Sequence, residues 1–270
     1  MNNNEVFDNL EATEKAALQY ELRINKELQQ YKRAILALLE FLYVHFGDFT
    51  AKEYTKKLNR MNRKDIYFQL KRIYIRLGLP TKDLEVIGEI DEIFVDQTTK
   101  LLGHFERKSN QIFSAMFDKV ANVATGTILG TLGLAIANSI KFDDLFPKKE
   151  KYVFEVAPWV EDHLQDFIKK NEKPEIQQEF LNYVSDLLES VKKFSERATV
   201  SQTVKIHSEA TALILEGEGY EEYDLVTEPN ACPICEAVKA QNPHKLKDRQ
   251  YGVNFPYIHD NCRCGIKPRK

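Results

Sequence analysis

The residues best equipped for chemistry lie near the end of the chain. They are Cys232 and Cys235, then His259, Cys262 and Cys264, and they include all four cysteines. Two thiols separated by two residues let one tight turn aim both sulfurs at a point, and a second donor group can close a tetrahedron around a soft metal such as zinc. Pro233 stiffens the first knuckle, and Pro229-Asn230 before it suits a turn. Between the groups the sequence is turn-rich and polar (Gln241, Asn242, Pro243, Gly252, Asn254, Pro256), so a metal rather than an apolar core is expected to hold this stretch.

Five donors exceed what a tetrahedral site needs, and His244 is a sixth, weaker candidate. The preferred set is Cys232, Cys235, His259 and Cys262, since His-x-x-Cys chelates from one turn as readily as Cys-x-x-Cys. The rival set exchanges His259 for Cys264, giving four thiolates. The surplus of ligands points to a closed structural zinc rather than an open catalytic one. Two readings need no metal: a pair of disulfides, which requires an oxidising compartment, and reduced free thiols.

The elements that must position these donors are mainly helical. Thr199 to Glu216 has amphipathic spacing and leads to Gly217 and Gly219, after which Tyr223–Thr227 reads as a strand entering the first knuckle. Before it, Pro174 starts a helix with Ile176, Phe180, Tyr183, Val184, Leu187, Leu188, Val191 and Phe194 on one stripe. Pro158 suits the first turn of another helix, and Tyr152–Val156 reads as a short strand.

The N-terminal half is also helical. Phe7 to Phe46 holds no proline or glycine, and Ile24, Leu28, Tyr31, Ile35, Leu38 and Leu42 follow alternating steps of four and three. That stripe fits either a coiled coil, with self-association through residues 24–42, or a long helix packed on its own domain. Thr50-Ala51-Lys52-Glu53 reads as a capping box. A further helix follows Asn62 and stops at Gly78-Leu79-Pro80, and Thr81 is expected to cap a run reaching about Lys119.

Two stretches stand out by composition. Lys52 to Arg76 carries nine basic residues against two acids, and Lys56, Lys57, Arg60, Arg63, Lys64 and Arg72 are its candidate contacts to nucleic-acid phosphates or an acidic partner. A solvated helix face is the simpler reading. Val120 to Ile140 is 21 residues without charge, with Gly126, Gly130 and Gly133 inside it. The length matches a membrane span and the glycine spacing permits close helix contact, but its Asn and Thr content dilutes the hydrophobicity. Burial is the expectation, and membrane contact through 120–140 would be conditional.

The donor pattern carries a family resemblance. Cys-Pro-Ile-Cys, an aromatic-Pro step, then His-x-x-Cys-Arg-Cys, with an amphipathic helix ahead of the first knuckle, resembles the C-terminal signature of tailed-phage minor head proteins of the Mu-like head-morphogenesis family. It covers residues 199–267; His259-Asp260 stands where that family usually has His-Pro. The resemblance implies a virion protein of the phage head, made in the host cytoplasm and acting in head morphogenesis. Its implied partners are the portal, the major capsid or scaffold protein and packaged DNA, and DNA delivery is a further implied role.

Totals constrain the alternatives. With 270 residues, 43% hydrophobic and 29% charged, the chain can bury a sizeable core and is not wholesale disordered. A net charge of −3 gives no global field toward nucleic acid. The N-terminus lacks a basic region followed by an apolar core, so export by a signal peptide is not expected, and a reducing compartment favours metal over disulfide. There is no P-loop, Gly-x-Ser-x-Gly elbow or His-Glu-x-x-His. His207 and Glu209 share a helix without sharing a face, and His244 and Glu236 are the only polar candidates near the metal region. No enzyme is therefore expected. The expected fold is mainly α: an elongated helical region (1–146, including the apolar Gly-rich segment), a helical connector (147–220) and a small α+β C-terminal module with a zinc knuckle (221–270). The alternatives are a zinc-ribbon-like nucleic-acid or protein adaptor and a toxin-like enzyme with a metal-bearing terminal domain.

Overall fold

The uninterrupted run of helix formers at the start of the chain becomes helix α1, Asn3–Phe46. It ends where Gly47 takes a positive φ of 69°, a conformation that costs glycine no Cβ clash. The computed structural model describes residues 1–47, 58–82, 84–134, 154–170 and 177–269. The expected capping box at Thr50–Glu53 lies outside them. Helix α2 follows at Arg60–Arg76, where the Asn59 side chain accepts from the Asn62 backbone amide and caps the first turn.

Helix α3 spans Ile90–Leu132, later in start and end than the run expected from Thr81. Residues 84–89 are not helical, and Gly88 sits at φ +95°. The Glu92 carboxylate then accepts from the Glu89 amide at 2.8 Å, the reciprocal half of a capping box that fixes the helix start. At the far end Leu134 donates to the Leu129 carbonyl across Gly133, closing a Schellman-type cap. Helix α4 is Ala157–Lys170, with Pro158 in its first turn. Residues 154–156 form no strand; instead the Asn110 side chain bonds both backbone groups of Phe154, and the Glu106 carboxylate accepts from the Val156 and Ala157 amides. The two helices expected at 174–194 and 199–216 are one, α5, Gln177–Gly217, because nothing between Phe194 and Thr199 breaks a helix.

The described residues form two compact groups that interleave in sequence. One comprises Ile24–Asn110 and Val153–Lys193, the other Met1–Arg23, Gln111–Tyr152 and Phe194–Lys270. In the first group the stripe Ile24, Leu28, Tyr31, Ile35, Leu38 and Leu42 is buried, at most 2% exposed. The chain's own packing covers that stripe. Aromatic pairs fill the same core: Tyr31 with Phe105 (5.8 Å), Phe105 with Phe154 (5.9 Å) and Phe94 with Phe180 (5.7 Å).

The second group holds the apolar segment and the C-terminal module. Val120, Ala121, Ala124 and Ile128 are buried. Gly130, by contrast, has open space where a Cβ would be, so close helix approach does not account for it. Among the described residues no helix is long and apolar enough to cross a membrane; residues 135–140 fall outside them. In the module, strands β1 (Glu222–Val226), β2 (His244–Lys245) and β3 (Gly265–Arg269) form an antiparallel sheet in the order β2-β1-β3. Helix α6, Pro233–Lys239, follows β1. Gly265 allows β3 to approach α1, since a Cβ there would collide with Val6.

Candidate metal centre

Each donor is placed by a local device that the sequence encodes. Cys232 is the N-cap of α6, with extended backbone and a sulfur that accepts from the Cys235 amide at 3.5 Å. Pro233 occupies the first helical position, where a missing amide costs nothing. One helical turn then delivers Cys235 beside Cys232. The second group is built on a turn in which Cys262 donates to the His259 carbonyl at 3.0 Å and Asn261 adopts φ +60°, which Asn tolerates better than most residues. The His259 Nδ1–H donates to the Asp260 carbonyl at 2.8 Å. That bond leaves the Nε2 lone pair free to ligate, the usual outer support of a metal-bound imidazole.

The donors converge. His259 Nε2 lies 3.0 Å from Cys232 Sγ and 3.2 Å from Cys235 Sγ, and Cys235 Sγ lies 3.8 Å from Cys262 Sγ. Four sulfurs at metal bonds of about 2.3 Å have tetrahedral edges of about 3.8 Å, so the Cys235–Cys262 separation already matches a shared ligand sphere. Two groupings meet at Cys235: Cys232, Cys235 and His259, and Cys235, Cys262 and Cys264, each with ligand atoms within 4.8 Å of one another. All four cysteines are free thiols. Soft thiolates with an imidazole are the donor chemistry that borderline and soft metal ions take, and these residues fit such an ion. When bound, it would supply a positive charge that cross-links both knuckles.

The four thiols are pushed in opposite directions, Cys232 and Cys262 down and Cys235 and Cys264 up. A hydrogen bond from Cys264 holds the Cys262 thiol down to about 5, and the same bond, with burial, pushes Cys264 up. Burial raises Cys235 to about 12, and the neighbouring Cys262 charge adds to it. The Cys235 amide lowers Cys232, and the Asp260 carbonyl raises His259. A divalent cation held by these residues would reverse the penalty on Cys235, because a coordinating thiol is deprotonated outright.

The stretch between the knuckles does have an apolar core, contrary to expectation. Phe255 is fully buried, and Leu246, Ile258 and Val238 join Tyr223, Leu225 and Ile266 around the cysteines. Its turn residues work as braces. Asn242 bonds both backbone groups of Leu225 (2.9 and 3.0 Å), pairing with β1 as a strand would, and the Asn254 carbonyl accepts from the Tyr223 hydroxyl at 2.8 Å. His244 is spent here as well, its Nε2 on the Val238 carbonyl at 3.1 Å, and it is not among the metal donors. Glu236 lies on α6, paired with Thr227 and Lys239.

Two residues outside the donor set anchor the site, and sequence reasoning gave them no role. Arg249 reaches α5, with Nη2 2.7 Å from Glu209 and Nη1 2.5 Å from Glu216, and the Tyr251 hydroxyl donates to Glu209 at 2.8 Å. Burial opposes the Arg249 charge, but the bonds and attraction of the two carboxylates outweigh it and raise its pKa. Arg263, between Cys262 and Cys264, forks onto Glu14 of α1 at 2.6 and 2.8 Å and also meets Glu228 at 3.1 Å. The arginine inside Cys-Arg-Cys was the available signal. His207 is buried: Thr13 gives its proton to the Asn9 carbonyl, so His207 Nδ1 donates to Thr13 Oγ1 at 3.1 Å. Burial lowers the His207 pKa to about 4.

Of the basic candidates, Lys56 and Lys57 lie outside the described residues. Arg60, Lys64 and Arg72 are exposed on α2, whereas Arg63 donates to the Val86 and Gly88 carbonyls at 2.8 and 3.0 Å and pins the segment before α3. Among family models, curated proteins and solved structures, none matches the chain.

Proposed function

We propose that this chain is a structural minor head protein of a tailed phage, associated with the portal or capsid interior, whose zinc-held C-terminal module acts as a folding clamp and docking surface. The carrying observation is the meeting of Cys232, Cys235, His259, Cys262 and Cys264 in one cluster, since their order along the chain is what resembles the Mu-like minor head proteins. Zinc is the metal of choice for a redox-inert, four-coordinate site of thiolates and imidazole. A structural role is favoured over an enzymatic one by how the nearby polar groups are used. Donors outnumber coordination positions, and both His244 and Glu236 are committed to their own module.

Quantitative mass spectrometry of purified phage particles, with elemental analysis of the isolated protein, tests the reading. The expected result is a few copies per particle and about one zinc per chain, because only one closed set of four ligands can be assembled. A protein abundant in infected cells and absent from particles would sink the head assignment, and zinc content would still report on the clamp separately.

A further inference from the structure

Helix α2 has two apolar faces where a surface helix ordinarily has one. Ile66, Leu70, Ile73 and Tyr74 are buried, and the Tyr74 hydroxyl donates to Gln97 at 3.2 Å. On the opposite side Met61, Phe68 and Ile75 are 74%, 47% and 63% exposed. At 100° per residue Phe68 points roughly 160° away from both Ile66 and Leu70. Seven-residue spacing advances about 20° short of two full turns, so the three exposed residues form one row along the helix. Lys64, Arg72 and Arg76 are exposed along that row, with Asp65 the one exposed acid there.

We infer that this outer face of α2 docks an acidic amphipathic helix of a partner protein. The apolar row is one residue wide, and Lys64 and Arg72 interrupt it between the repeats. A bilayer would have to take up those charges along with Phe68 and Ile75, whereas interfacial helices present a broad apolar face. Duplex DNA would satisfy the cations and leave Met61, Phe68 and Ile75 against phosphates. A partner helix meets both demands: its apolar residues pack between Met61, Phe68 and Ile75 in the seven-residue repeat, and its carboxylates pair with Lys64, Arg72 and Arg76. Arg63 takes no part, being held by the Val86 and Gly88 carbonyls. The inference rests on α2 alone and stands apart from the metal centre and the head assignment.

The test uses the full-length protein and a fluorescent synthetic helix bearing Leu at every seventh position flanked by Glu. Fluorescence anisotropy should show saturable binding to the wild type, weakened at least tenfold by Phe68→Ser/Ile75→Ser and by Lys64→Glu/Arg72→Glu. A peptide with Lys in place of Glu should recover binding to the charge-reversed variant. All four positions are exposed, so circular dichroism should show each variant folded like the wild type. Equal binding by wild type and Phe68→Ser/Ile75→Ser would overturn the inference. Binding of phosphatidylserine vesicles or duplex DNA without binding of the peptide would overturn it as well.

Discussion

The helical group built from Ile24–Asn110 and Val153–Lys193 and the C-terminal module solve the same problem with different materials. In the first, large apolar side chains recur at helical spacing, and Tyr31, Phe94, Phe105, Phe154 and Phe180 are buried to within 2%. Burial of such surface at about 25 cal/mol per Å² is enough to fix the elements. In the module, strands of two to five residues and a helix of seven offer too little continuous surface for that. It adds donors and braces: five metal-competent groups, the Asn242 clamp on Leu225, and the Arg249 and Arg263 forks. The difference shows that a short segment with a small core can be ordered if some of its braces reach long helices, here α1 for Arg263 and α5 for Arg249.

The sharpest way to break this contrast is to remove the shared donor. Cys235→Ser, or chelation of the wild type, should abolish metal binding and strip hydrogen-exchange protection from residues 222–269, because binding and local folding are one equilibrium in such sites. Amides of Ile24–Asn110 should keep their protection. Equal protection in the module with and without metal would show that its apolar core suffices. The converse is Phe105→Ala, expected to cost about 4 kcal/mol in denaturant unfolding by emptying the aromatic cluster, with metal content unchanged.

Arg249→Ala tests the braces. It leaves Glu209 and Glu216 facing each other without a counter-charge, and their side chains are only 12% and 35% exposed. A loss of about 3 kcal/mol in module stability is expected, read as increased proteolysis of residues 244–258. Arg249→Lys should restore little, since one ammonium does not reproduce the fork. The smallest expected effect is a pH dependence. His207 has a folded pKa of about 4, below its unfolded value, so its contribution is fully present above about pH 6.5 and lost as pH falls toward 4. By pH 5 the loss should reach about 2 kcal/mol. The difference in melting between wild type and His207→Gln, followed from pH 7 to pH 5, isolates it. A difference that stays constant with pH would show that His207 titrates normally.

Some of this was readable before any folding. Helical character, the buried stripe from Ile24 to Leu42, the strand leading to the first knuckle and the donor set all follow from local rules: period, caps and Cys-x-x-Cys spacing act within a few residues. Helix limits were harder, since Glu106 caps α4 from 50 residues away, and no local pattern carries that. The basic run from Lys52 to Arg76 shows the same limit, because composition cannot separate Arg63, bound to two carbonyls, from Lys64 and Arg72 in solvent.

By itself, then, the sequence determined which residues can ligate, that the chain is mainly helical and where the sheet module begins, all of them consequences of spacing along the chain. Only the tertiary structure decided that the stretch between the knuckles packs around Phe255, that His244 serves Val238 rather than a metal, and that Glu209 meets Arg249. It also decided that Met61, Phe68 and Ile75 on α2 are left to solvent. Those outcomes depend on contacts between residues far apart in sequence, whose free energy exists only once the chain has closed on itself.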